Sequence, residues 1–115
     1  MKDSENIIVK STFEFALAII EYCEVLEKER RFVIANQLLK SGTSIGANVR
    51  EAQNAESKND FIHKFKIAAK EVEETIYWLE LCSMSKNFPD CSSLNNQIQI
   101  ISKIINKIII SSKNK

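Results

Sequence analysis

Glycine and proline are scarce in this chain of 115 residues, which contains two glycines, Gly42 and Gly46, and a single proline, Pro89. Because these two residue types dominate turns, their scarcity leaves room for only a few short connections. No stretch alternates apolar and polar residues as a half-buried strand does. The chain is therefore predicted to be nearly all helix.

An excess of charge of one sign is also lacking. The chain has 16 Lys and Arg residues against 15 Asp and Glu, a formal net charge of +1. It therefore has no global attraction to nucleic acid or acidic membranes, and electrostatic binding would need charge concentrated on one surface. With 44% apolar and 27% charged residues, the composition is that of a soluble globular protein. We expect residues 1–115 to form one domain with a single core.

Features of export and of membrane insertion are missing as well. The first six residues do not follow the charged-then-apolar pattern of a signal peptide. The Ile-rich segment near the C-terminus is interrupted by polar residues between Ser102 and Lys107, which argues against a membrane span. Cys23, Cys82 and Cys91 are odd in number and form no C-x-x-C pair, which is typical of reduced thiols. We expect a cytoplasmic protein with no membrane partner.

Apolar residues recur at helical spacing in four segments, at about residues 9–27, 31–56, 59–84 and 92–112. Four helices of this length with short connections predict an all-α, up-down-up-down antiparallel four-helix bundle. In the second segment Gly42 and Gly46 fall inside the periodic pattern, which steps by 4, 3, 4 and 3 from Leu38 to Ala52. The two glycines are therefore predicted to lie within a helix and to allow close packing of another helix.

The first and third helices each carry two apolar stripes, of which a bundle core needs only one. We assign one stripe of each helix to the core: Val9, Phe13, Ala16, Ile20 and Cys23 on the first, and Phe61, Phe65, Ala68, Val72, Ile76 and Leu79 on the third. The second stripes lie roughly opposite: Phe15, Ile19, Tyr22 and Leu26 on the first, and Ile67, Glu71, Glu74, Trp78 and Leu81 on the third.

In one interpretation, the core of the bundle is wide enough to bury both stripes of each helix. The alternative, which we favour, is burial between subunits, because a monomer rarely exposes apolar patches of this size. Two such faces on each subunit suit a head-to-tail ring better than a two-fold dimer.

Residues suited to catalysis or to ligand binding are few. The segment from Gly42 to Gly46 lacks both the Lys-Ser/Thr pair and the preceding strand of a phosphate loop. His63 is the only histidine, the fourth helix has no acidic residue, and Glu71 and Glu74 have no evident converging carboxylates. We therefore expect no enzyme activity, no metal, no cofactor and no small-molecule substrate.

Basic residues concentrate on the second helix and on the first half of the third. The candidate nucleic-acid contacts are Lys40, Arg50, Lys58, Lys64, Lys66 and Lys70. Asp60 with Lys64 and Lys70 with Glu74 are also spaced as ordinary intrahelical ion pairs on a solvated face. Binding of RNA or DNA through a basic surface is therefore the alternative to a role based on self-assembly alone.

Two separated segments resemble a known family. The first is QLLKSGTSIGANVREA at residues 37–52, and the second comprises DFI at 60–62, KIAAKE at 66–71 and ETIYWLEL at 74–81. Together they resemble the bacterial four-helix bundle proteins encoded within intervening sequences of 23S ribosomal RNA genes. This resemblance implies a small cytoplasmic protein that assembles into a homopentameric ring.

The same family looks related to the accessory protein of diversity-generating retroelements, a basic pentamer that binds nucleic acid and a reverse transcriptase. This chain differs from that branch in being nearly neutral, so no binding residue is carried over from it. The combined prediction is a non-catalytic oligomeric bundle that acts as a scaffold or interaction protein.

Overall fold

Four long helices account for most of the chain in a computed structural model that describes the backbone of residues 3–114 and the side chains of residues 7–114. They are α1 (Asp3–Lys28), α2 (Phe32–Ala52), α3 (Lys58–Met84) and α4 (Ser92–Lys113). Each helix packs against its neighbours in sequence, and α4 closes onto α1, so α1 and α3 lie diagonally opposite in a bundle 47 Å long. The predicted all-α four-helix bundle is confirmed.

Two helix boundaries differ from those expected from periodicity. Helix α1 begins at Asp3, several residues before its apolar pattern begins. Helix α2 ends at Ala52, because the N–H groups of Gln53 and Asn54 bond to carbonyls three residues back and tighten the chain into a turn. Helix α3 begins with a side-chain cap, because Ser57 Oγ accepts a 3.0 Å hydrogen bond from the Asp60 N–H.

The turns at one end of the bundle are joined by Arg31. The α1–α2 turn closes with hydrogen bonds from Arg31 N–H to the Leu26 carbonyl and from Arg30 N–H to the Glu27 carbonyl, with Arg30 in the left-handed region at φ 64°. The Arg31 guanidinium lies 3.9 Å from the ring centroid of Phe88, in the α3–α4 turn. This contact ties the two turns together.

Helices α2, α3 and α4 bury the stripes that their periodicity predicts. The buried residues of these stripes are Ala35, Leu38, Gly42, Ile45, Val49 and Ala52 on α2, Phe65, Ala68, Val72 and Leu79 on α3, and Leu94, Ile98, Ile101, Ile105 and Ile108 on α4. Phe61 and Ile76 of α3 are partly buried and pack against this core. Thr75 and Ser41 are also buried, and the Thr75 hydroxyl donates a 2.9 Å hydrogen bond to Ser41 Oγ.

Gly42 and Gly46 lie inside α2 and allow α1 to approach closely, as predicted. Neither glycine has a positive φ, so both are ordinary helical residues. A Cβ atom on Gly42 would lie 2.9 Å from two side-chain carbons of Ile19, and one on Gly46 would lie 3.3 Å from the Thr12 carbonyl oxygen. The side chain of Ile19 therefore occupies the space that a larger residue at position 42 would need.

We expect Gly42→Leu to lower the free energy of unfolding by roughly 1–3 kcal/mol, because it overpacks the α1–α2 contact. The matched control is Asn36→Leu on the exposed side of the same helix, where the change should stay within about 0.5 kcal/mol. Urea denaturation followed by circular dichroism measures both variants. Equal losses in the two variants would contradict the close contact at Gly42.

Candidate functional site

The face of α1 that was assigned to a subunit interface is instead buried within the subunit. Phe15, Ile19 and Leu26 are completely buried, and Tyr22 is 8% exposed. Because these four side chains have almost no accessible surface, they cannot form a subunit interface, and their assignment to it was wrong. Cys23, assigned to the core, is buried as expected.

Apolar residues on another side of α1 are exposed in place of this buried face. Phe13 is 51%, Leu17 49% and Ile20 41% exposed. Phe13 and Ile20 were assigned to the core, and Leu17 was assigned to neither stripe. The reason is the α1–α2 contact, since the small residues of α2 accept Ile19 and Thr12 and so rotate Phe13 and Ile20 outward. The exposed α1 face is defined here as Phe13, Leu17 and Ile20.

A groove runs beside this face, between α1 and α2. It has a volume of about 190 Å³ and is lined by Val9, Thr12, Phe13, Ala16, Thr43, Gly46, Ala47 and Arg50. Most of these residues are small, and Phe13 and Arg50 are the two large ones. The Arg50 guanidinium lies 5.4 Å from the centroid of that ring. The groove is therefore lined by mainly apolar residues together with one cation.

The second stripe of α3 remains partly accessible, as required of a contact surface. Ile67, Glu71 and Trp78 are partly buried, Glu74 is exposed, and Leu81 is 38% exposed. The Trp78 indole N–H donates a 3.2 Å hydrogen bond to Glu74 Oε2, so this carboxylate already has one partner. The exposed α3 face is defined here as these five residues.

Of the two glutamates on the exposed α3 face, Glu71 is the more buried. Burial raises its pKa, and the neighbouring Glu74 raises it further, whereas Lys40 of α2 and Lys70 oppose the shift. Further burial of this face would cost free energy unless a cation accompanied the carboxylates.

The two exposed faces lie at matching levels along the bundle. Ile19 contacts Gly42 of α2, and Ser41, which directly precedes Gly42, is hydrogen bonded to Thr75 of α3. Ile19 and Thr75 therefore lie at a similar height. Since α1 and α3 run in the same direction, Ile20 and Trp78 lie within about one helical turn of each other along the bundle axis.

The six candidate nucleic-acid contacts do not form one free basic patch. Lys64 Nζ forms a 3.0 Å ion pair with Glu51 Oε1, and this hydrogen bond raises the pKa of Lys64. Lys40 and Lys70 act on Glu71, and Arg50 lies over Phe13. These pairings show that part of the predicted positive charge is already used within the subunit.

Charge is nevertheless segregated along the bundle. Residues 58–70 of α3 contain four lysines and one acid, whereas residues 71–84 contain four glutamates and no basic residue. Helix α4 has no acid, and its three lysines, Lys103, Lys107 and Lys113, lie in its second half. Ser102 and Ile105 of α4 border the same pocket as Ala69 and Val72 of α3, so in this antiparallel pair the second half of α4 lies beside the first half of α3. The net charge of +1 therefore conceals a basic end and an acidic end.

The side chains of residues 7–114 were compared with the groupings that catalysis or metal binding requires. None of their His, Cys, Asp and Glu residues forms a group of three that could hold a metal ion. His63 is exposed on α3. In the same part of the chain, no helix is long and apolar enough to cross a bilayer.

These observations define a class of protein: a small antiparallel four-helix bundle whose exposed apolar faces on α1 and α3 flank α2. A sequence model of the 23S rRNA-intervening sequence proteins matches residues 4–107, and the chain belongs to this family. The resemblance of its two sequence segments to that family is thereby confirmed.

A solved structure supports the same assignment. The chain is similar to a protein with unknown function from the S23 ribosomal protein family of Bacteroides thetaiotaomicron, with 42% sequence identity and a TM-score of 0.87. The match covers 92% of this chain and 97% of that one. Among curated proteins, none matches the chain.

Proposed function

We propose that this protein is a non-catalytic subunit of a cytoplasmic homo-oligomeric ring that acts as a scaffold or interaction module. The observation that carries the proposal is a pair of accessible faces on diagonal helices: three exposed apolar side chains on α1, and three apolar side chains with two glutamates on α3. Monomers rarely leave such faces in water.

A head-to-tail contact would bury both faces at once. The exposed α1 face of one subunit would pack against the exposed α3 face of the next, because the two faces differ in shape and composition and lie at matching levels. Because the two faces lie at the same level, repeating this contact produces no shift along the bundle axis, so the subunits close into a ring. The resemblance to the 23S rRNA-intervening sequence proteins sets the proposed ring size at five.

Electrostatics also favours the pairing of these two faces. Glu71 and Glu74 lie on the exposed α3 face, and Arg50 borders the groove beside the exposed α1 face. A carboxylate that loses water at an interface needs a cation or a hydrogen-bond donor. We assign this role to Arg50 of the adjacent subunit, together with Lys40, which already acts on Glu71 within the subunit.

We expect Ile20→Glu and Trp78→Glu each to dissociate the ring while the helix content is retained, because each places a charge in the proposed apolar contact. The matched control is Ile100→Glu on α4, where the native side chain is 59% exposed outside both faces. Multi-angle light scattering gives the mass and circular dichroism the helix content. If Ile20→Glu and Trp78→Glu keep the wild-type mass of an assembled protein, the proposed interface is wrong.

The alternative function is binding of RNA or DNA, and the segregation of charge along the bundle favours it. In a ring of parallel subunits the basic ends would lie on the same side, so that a weak positive zone on each subunit would be repeated around the ring. Lys58, Lys66 and Lys70 of α3 would act with Lys103 and Lys107 of α4.

For this alternative we expect affinity for a structured RNA to fall steeply with salt, because phosphate contacts release counterions. Lys66→Glu and Lys107→Glu should each weaken binding and lower the slope of log affinity against log salt by about one. Lys86→Glu, in the turn at the other end of the bundle, is the matched control. Fluorescence anisotropy measures binding, and a lack of binding at low salt would eliminate this function.

A further inference from the structure

The turn between α3 and α4 carries an open depression with two cysteines in its lining. The depression has a volume of about 290 Å³ and is lined by Cys82 and Cys91 together with mainly polar residues of the turn. Cys82 is 2% and Cys91 4% exposed, so only a small part of each residue borders the depression. Both cysteines are therefore nearly buried and border the same depression.

Polar groups surround the sulfur atom of Cys91. Ser83 Oγ lies 3.2 Å from Cys91 Sγ, and the Asn95 side-chain amide donates to the same sulfur at 3.5 Å. The thiol itself donates to the Leu79 carbonyl oxygen at 3.6 Å. An oxygen atom added to this sulfur would therefore have hydroxyl and amide donors within reach.

The hydroxyl group of Tyr22 interacts with both cysteines. It donates a 2.7 Å hydrogen bond to the Pro89 carbonyl oxygen and contacts the side chains of both Cys82 and Cys91. Cys82 near the end of α3 and Cys91 at the start of α4 therefore both lie beside the Tyr22 side chain.

The third cysteine differs in position and in chemistry. Cys23 does not border the depression, and burial raises its pKa to about 12, which keeps it protonated at neutral pH. Burial also raises the pKa of Cys82, whereas Tyr22 and Arg31 oppose that shift. Hydrogen-bond donors stabilise a thiolate, and the Asn95 amide donates to the Cys91 sulfur, so we assign the first reaction with an oxidant to Cys91.

We propose that Cys82 and Cys91 form a peroxide-responsive dithiol whose oxidation locks the α3–α4 turn with a disulfide. The Cys91 thiolate attacks one oxygen of hydrogen peroxide, the O–O bond breaks, and a sulfenic acid and hydroxide form; hydroxide takes up the thiol proton to give water. The Cys82 sulfur then displaces the sulfenic oxygen, which leaves as a second water. Two electrons pass from the two thiols to the peroxide. This property is independent of the proposed ring.

The test is peptide mapping of the full-length protein after treatment with hydrogen peroxide in the native state. Remaining thiols are alkylated under denaturing conditions, and mass spectrometry locates the bonds. We expect Cys82 to be linked to Cys91 within one chain, Cys23 to be alkylated, and dithiothreitol to restore all three thiols. The oxidised protein should melt several degrees higher, because the bond constrains the unfolded chain.

Two variants sharpen the assignment. Cys23→Ser should form the same bond as the wild type, whereas Cys82→Ser should stop at a sulfenic acid on Cys91 that dimedone captures. A bond that includes Cys23, a bond between subunits, or no bond under conditions that oxidise a cysteine peptide would overturn the proposal. The peptide map of the wild-type protein distinguishes these outcomes even if a variant fails to fold.

Discussion

The contact between Gly42 of α2 and Ile19 of α1 is the constraint on which the rest of the structure depends. The absence of a side chain at position 42 leaves a space that Ile19 fills, with no room for even one added carbon atom. Because Ile19 must point at α2, the rotation of α1 about its own axis is set. Phe15 and Leu26 then point into the core, and Phe13, Leu17 and Ile20 remain at the surface.

The surface chemistry follows from this rotation. On one side of α2 the exposed α1 face lies beside a groove bordered by Arg50, and on the other side the exposed α3 face presents Trp78 with two glutamates. The buried hydrogen bond between Thr75 and Ser41 holds α3 at the same level as the Gly42 contact. Packing inside the bundle thus determines which apolar residues are available for self-assembly. The segregation of lysines and glutamates along the same helices adds a basic end that a ring would repeat.

Much of the fold could be predicted from the sequence, because the evidence for it is local. The four helices, the cap at Ser57, the helical position of Gly42 and Gly46, and the core stripe of α4 follow from spacing and residue type. The buried face of α1 could not be predicted in this way, since its two stripes share the same spacing and are both apolar. Which stripe of α1 faces the core depends on the shape of α2, because its small residues need large side chains opposite them. This complementarity could have indicated that the stripe containing Ile19 is buried.

The candidate surfaces were predictable to a smaller extent. The second stripe of α3 stays accessible, as its two glutamates indicate, and its place in a subunit interface stays a prediction. The exposed α1 face was missed because it was assigned to the core. The ion pair between Lys64 and Glu51 was also missed, since it joins residues of two helices whose relative position is set only by packing. Spacing along one helix carries no information about such contacts.

The orientation of α1, with Phe15 in the core and Phe13 at the surface, is tested most directly by comparing Phe15→Ala with Phe13→Ala. Both remove the same side chain from the same helix, and urea denaturation at submicromolar concentration, where assembly contributes least, measures the free energy of unfolding. The structure requires Phe15→Ala to cost roughly 3–5 kcal/mol as a core truncation. Phe13→Ala should cost about 0.5 kcal/mol or less, as at an exposed site. Equal costs, or a larger cost for Phe13→Ala, would contradict the proposed orientation of α1.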